Sequence, residues 1–230
     1  MCIRDRSWGV EGDTPAYLAL IPNGLSNAEH PEWGGWGGRY ELYKPDFALT
    51  KKGDSIVEIA PETRKIWTNS VDKYTPYVHK EYGRSVERNA ETFTGYKETL
   101  WRWRDDFQND FAARMDWTIK PYHEANHPPV PVLNHSDMLT VKSGEDFGLD
   151  ASKSTDPDGD NLSYLWFHYP EAGSYNELIT IGGAENSHTA HVVAPEVKKE
   201  ESLHFILKLT DKGEPPLSRY KRIIVNVVPK

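Results

Sequence analysis

One short run divides this chain: Asn126-His127-Pro128-Pro129-Val130-Pro131. Its prolines remove backbone donors and fix φ, so neither a helix nor a central strand crosses it, and it reads as an extended interdomain linker. The hydrophobic period differs on its two sides. Before it, Leu100, Trp103, Phe107, Phe111 and Met115 recur at spacings of three and four. That spacing predicts a helix over residues 96–117 with this face buried, and with Arg102, Arg104, Asp105, Asp106 and Asp110 on the solvated face.

After the linker the pattern alternates with period two. Strands are expected near residues 130–133, 139–142, 147–150, 162–169, 178–181, 190–193, 203–209 and 222–228, with turn residues between them. This is the pattern of a Greek-key sandwich of roughly 100 residues, immunoglobulin-like or cadherin-like, in which a Trp on the third strand fills the core. Trp166 stands at that place. Of the eight Trp, all but Trp166 lie before residue 120, a further sign of two different modules.

The first half begins with a helix signal at residues 13–21, where Thr14 caps, Pro15 sits where its missing N–H costs nothing, and Asn23-Gly24 ends the run. Residues 27–39, centred on Trp33-Gly34-Gly35-Trp36-Gly37-Gly38, read as an ordered loop. Short strands are expected at 40–43 and 56–59.

The formal charge of −8 is spread along the chain, which argues against a nucleic-acid partner and for a small neutral ligand. No apolar stretch is long enough to span a membrane, and no charged start precedes an apolar signal segment. Residues 1–6, Met-Cys-Ile-Arg-Asp-Arg, resemble translated sequencing-adaptor read-through and are set aside. With them goes Cys2, the single cysteine, so disulfide and thiol chemistry drop out. The His residues show no metal-site spacing, and no nucleophile elbow, P-loop or dinucleotide fingerprint occurs.

Five segments carry a resemblance: Glu-Gly-Asp-Thr-Pro at 11–15, Ile-Pro-Asn-Gly-Leu at 21–25, His-Pro-Glu-Trp-Gly-Gly-Trp-Gly-Gly-Arg-Tyr at 30–40, Asn-Asp-Phe-Ala-Ala-Arg-Met-Asp-Trp at 109–117 and Ala-Asn-His-Pro-Pro at 125–129. Through them the chain resembles the bacterial cellulose-binding-protein family that joins a nucleoside-hydrolase-like domain to a C-terminal sandwich. The resemblance implies an α/β fragment over residues 7–127, the C-terminal part of a nucleoside-hydrolase-like domain. A linker and first strand at 128–133 and an all-β immunoglobulin-like or cadherin-like sandwich at 134–230 follow. It also implies an N-terminally truncated member, since the Asp cluster with which nucleoside hydrolases hold Ca²⁺ does not open this chain. A secreted, periplasmic or cell-surface location in a bacterium is the corresponding expectation.

Candidate ligand-binding residues follow. In nucleoside hydrolases a late His-Asp pair supplies a metal or substrate ligand. Glu11 and Asp13 stand at a comparable place, although Gly12 replaces the His and Asp13 with Thr14 also suits a helix cap. Trp33, Trp36, Arg39 and Tyr40 combine flat rings with a cation on a Gly-rich loop. That chemistry either stacks on a sugar face or pins the loop to the core. Asp156, Asp158 and Asp160 form a candidate Ca²⁺ site, but Asp156-Pro157-Asp158-Gly159 is also a good turn without metal. The expected ligand is a carbohydrate or a ribosyl-type small molecule. The expected roles are a catalytically silent glycosidase fragment that binds sugar, a non-catalytic polysaccharide-binding protein, or an adhesion module.

Overall fold

The structure, a computed structural model, describes residues 13–44, 49–52, 55–58, 64–75, 77–80, 83–86 and 91–230, and for residues 13–16, 49–52, 55–58, 77–80 and 83–86 the backbone alone. In the first half lie α1 (Asp13–Leu20), β1 (Tyr40–Tyr43), β2 (Leu49–Lys52), β3 (Ser55–Glu58), β4 (Ile66–Asn69), β5 (Asp72–Tyr74), β6 (Tyr77–Lys80), β7 (Gly83–Val86), β8 (Phe93–Gly95), α2 (Glu98–Trp101) and α3 (Arg104–Ile119). The second half holds β9 (Met138–Lys142), β10 (Asp146–Asp150), β11 (Ser163–His168), β12 (Ile181–Gly182), β13 (Thr189–Val193), β14 (Glu201–Thr210) and β15 (Ser218–Val228).

Two sheets form the second half: β11-β14-β15-β9 and β10-β13-β12. Their facing side chains make one apolar core, with Trp166 of β11, Phe205 and Leu207 of β14, Val225 of β15, Leu149 of β10 and Val192 of β13 all buried. The alternation along β14 explains this. Leu203, Phe205, Leu207 and Leu209 belong to one side of the pleat, and His204, Ile206 and Lys208 to the other. Two expected strands shrink. Val130 makes only an isolated bridge to Thr155, and the region near 178–181 yields the two-residue β12. Pro129 and Pro131, which cannot donate to a ladder, account for the first.

The first half does not build its own layered sheet. Its described strands pair two by two, β1 with β4, β2 with β3, β5 with β8 and β6 with β7, all antiparallel. Among the described residues the one parallel pairing is β9 with β15. The α/β character expected for residues 7–127 is therefore absent from the described part, and the protein is mostly β-sheet with few helices. Six apolar residues of this half are buried against the outer face of the four-stranded sheet. Leu18, Ile21, Leu25, Trp36, Trp103 and Phe107 form a second core with Tyr169, Ile206 and Tyr220.

Docking depends on an open strand edge. β9 pairs only with residues 224–228 of β15, which leaves the earlier part of β15 unpaired on that side. Asn23 fills the gap: its carbonyl accepts the Tyr220 N–H at 2.9 Å. Gly24 follows at φ +93, and a Cβ there would lie 2.1 Å from the Tyr220 carbonyl oxygen. Only glycine meets both demands.

The expected helix at 96–117 is split at residues 102–103, and its buried face is rotated. Trp103, Asp106, Phe107, Asp110 and Ala113 are buried, whereas Phe111 is 54% and Met115 47% exposed. The expected solvated face thus contains two buried carboxylates. Asp106 and Asp110 point at cations of the sheet, and those pairings override the apolar period.

Candidate functional site

A layer of buried charge lies between the two halves. Asp72, fully buried, accepts from Arg39 Nε at 2.7 Å, from Arg102 Nη1 at 3.0 Å and from the Tyr169 hydroxyl at 2.5 Å. Burial and the neighbouring Asp72 hold the Tyr169 hydroxyl well above the usual phenol range. Asp106 accepts from Lys208, from Ser218 at 3.1 Å and from the Tyr220 hydroxyl. Asp110 accepts from Arg114 Nε at 2.6 Å and lies 2.9 Å from Arg219 Nη2. Arg222 donates to the Gly34 carbonyl at 2.8 Å and sits 3.1 Å from His204 Nδ1. Burial lowers the Arg222 pKa to about 10, and burial together with Arg222 lowers that of His204 to about 3.

This layer absorbs most of the Trp/Gly loop. Trp36 is 0% exposed, its Nε1 is 3.4 Å from the Tyr220 hydroxyl, and its ring meets Phe107 and Tyr220 edge-on. No face of that ring is open to a sugar, so the stacking role expected of Trp36 gives way to packing. Arg39 is committed to Asp72 and to the Val71 carbonyl, and Tyr40 donates to the Gly37 carbonyl at 2.9 Å. Trp33 is half-buried, stacked on His30 at 3.9 Å and edge-on to His204. The structure thus separates the four loop residues rather than converging them on one surface. Glu11 lies outside the described residues, and of Asp13 only the backbone, at the start of α1, is described.

The carboxylates of Asp156 and Asp158 serve different partners. Asp156 Oδ1 accepts the N–H groups of Asp158 and Asp160 at 2.9 and 3.1 Å, which makes a self-bonded turn. Asp158 Oδ2 accepts the His127 N–H at 2.6 Å, and its Oδ1 is 3.0 Å from His127 Nδ1. Ca²⁺ needs six or more oxygens on one point. Among the described residues no group of three or more His, Cys, Asp or Glu side chains is placed to hold a metal ion.

A cleft opens beside the buried layer, between the β5–β8 ribbon, the α2–α3 junction and strand β11. Its volume is about 520 Å³, within the ~300–1,000 Å³ typical of small-ligand sites. Tyr74, Trp103 and Phe167 supply rings to its wall, while Arg102, Glu171 and His168 supply polar groups. Burial lowers the His168 pKa to about 4. Sequence reasoning did not single out this cleft. Trp103 was expected to be buried, but its neighbours come from segments up to about 100 residues apart, and no local spacing records that.

Two family models match separate segments of the chain. The family model described as "Cellulose-binding protein Sde0182, C-terminal domain" matches residues 146–227. That described as "Cellulose-binding Sde182, nucleoside hydrolase-like domain" matches residues 3–40. Among solved structures, a nucleoside hydrolase-related hypothetical protein from Saccharophagus degradans, described as associated with carbohydrate metabolism, is 33% identical with a TM-score of 0.70. The match covers 96% of this chain and 48% of that one, so the chain spans about half of its relative's length. No curated protein matches.

Proposed function

Because the chain belongs to the family of cellulose-binding proteins with a nucleoside-hydrolase-like domain, we propose that it binds carbohydrate without hydrolysing it. The engagement of the buried carboxylates carries this reading. Glycoside hydrolysis needs two carboxyl groups free to reach the scissile bond, one as acid and one as base or nucleophile. Asp72 accepts from two arginines and a tyrosine, and Asp106 from a lysine, a serine and a tyrosine. Both are committed to joining the halves of the molecule. The second half is read as an immunoglobulin-like accessory module, a reading supported by Trp166 in its core. A bacterial cell-surface, periplasmic or secreted location suits a polysaccharide ligand.

A hydrolase is the second reading, favoured by the match of residues 3–40 to the nucleoside-hydrolase-like domain. It would assign Glu11 and Asp13 to a ribosyl-type ligand. One experiment separates the two: incubate the protein with cellulose and with inosine, then measure the retained protein, reducing ends and free ribose. Retention on cellulose with neither sugar product supports binding alone. Release of ribose or reducing ends supports the enzyme.

A further inference from the structure

We propose that the 520 Å³ cleft at the α2–α3 junction is the carbohydrate site and that it takes a neutral oligosaccharide segment. This rests on the carbohydrate-binding reading above and adds to it a place and a ligand class.

The first observation is a set of buried polar atoms in the cleft wall without a hydrogen-bond partner in the protein. Trp103 is only 2% exposed, yet its Nε1 donor is unpartnered. Glu171 uses Oε1 to accept the Lys73 N–H at 2.9 Å, while its Oε2, 3.8 Å from Arg102, has no hydrogen bond. Buried polar atoms left unpaired cost about 1–3 kcal/mol each, so a fold that keeps two beside one cleft suits an occupant that pairs them. The wall then holds one unpartnered donor, on Trp103, and one unpartnered acceptor, on Glu171. A sugar hydroxyl is both donor and acceptor, and a row of hydroxyls matches such a mixture.

The second observation is charge. Lys73, Arg102 and Lys208 line the cleft with Asp105, Asp106 and Glu171, three cations against three carboxylates. Arg102 is already on Asp72, and Lys208 on Asp106. A phosphate or uronate would find no uncommitted pair of cations here, whereas a neutral ligand leaves these ion pairs intact. The third is shape: Tyr74 and Phe167 add ring surface for the apolar face of a pyranose.

The test uses the whole chain at neutral pH, with cellotetraose as the neutral probe and a galacturonate tetramer as the anionic one. Affinity is read by calorimetry and the site by the ¹⁵N-resolved indole signals. The expected result is cellotetraose binding that shifts the Trp103 indole N–H and weakens about tenfold in Tyr74→Ala, whose melting temperature serves as the folding control. Tighter binding of the galacturonate tetramer overturns the ligand class. Cellotetraose binding that leaves the Trp103 signal and the Tyr74→Ala affinity unchanged overturns the site but spares the carbohydrate-binding reading. Failure of the unaltered protein to bind either probe or insoluble cellulose overturns both.

Discussion

The two faces of the four-stranded sheet solve the same packing problem in opposite ways. The inner face meets the second sheet through a cluster of aliphatic and aromatic side chains, among them Phe205, Leu207 and Val225. The outer face meets α3 and the Trp/Gly loop through a mixed layer, in which Ile206 and Tyr220 alternate with Lys208 and Arg222. An apolar face tolerates any apolar cover of suitable volume, because burial is not directional. A face studded with buried cations accepts only a cover that brings carboxylates to the right points. The outer face thus specifies what docks on it, and the inner face supplies cohesion.

The sharpest way to break this contrast is to remove one carboxylate. Asp106→Ala removes the carboxylate that buried Lys208 donates to and strips acceptors from Ser218 and Tyr220. A loss of about 3–5 kcal/mol in urea unfolding is expected. That is as large as Leu207→Ala on the inner face, where a cavity costs about 2–5 kcal/mol. The difference lies in rescue: Asp106→Leu combined with Lys208→Met should recover most of the loss, since both charges of this pair are removed together. Failure of the double variant to recover would show that the ion pair itself holds the halves together.

Acid provides a milder test. His204 and His168 have pKa values lowered from the ordinary 6.5 to about 3 and about 4, chiefly by burial. Between those values and 6.5 the unfolded chain binds more protons than the folded one, so stability rises with pH there and is lost as pH falls below about 6.5. Melting temperatures should decline from pH 6.5 towards 4, with a shallower decline in His204→Phe. Leu207→Ala touches no titrating group and should lower the whole curve in parallel. An unchanged slope in His204→Phe would remove the outer face from the account of acid sensitivity.

The same contrast explains what the sequence revealed. The inner core was readable because period-two alternation around Trp166 and along residues 203–209 depends only on neighbours in the chain. The break at Pro128 and Pro129 was readable for the same reason. The outer face was not. Lys208 and Arg219 look like the solvated side of a sheet, and Asp106 and Asp110 like the solvated side of a helix, until each set meets the other across about 100 residues. Hydropathy treats a charge as exposed whether or not a partner awaits it. The Trp/Gly loop shows the converse, since Trp36 and Arg39 have the composition of a sugar platform but are used as packing and as a clamp on Asp72. The cleft has no linear signature, because Tyr74, Trp103 and His168 come from three separate elements.

Native-state hydrogen exchange across a urea series tests most directly whether the outer face joins the first half and the sandwich into one cooperative body. The account predicts that the slowest amides of α3, at Phe107 and Ala113, exchange through the same global opening as those of β14, at Leu207 and Leu209, and that their free energies merge. Exchange of the α3 amides through a separate opening more than about 2 kcal/mol cheaper than that of β14 would contradict it.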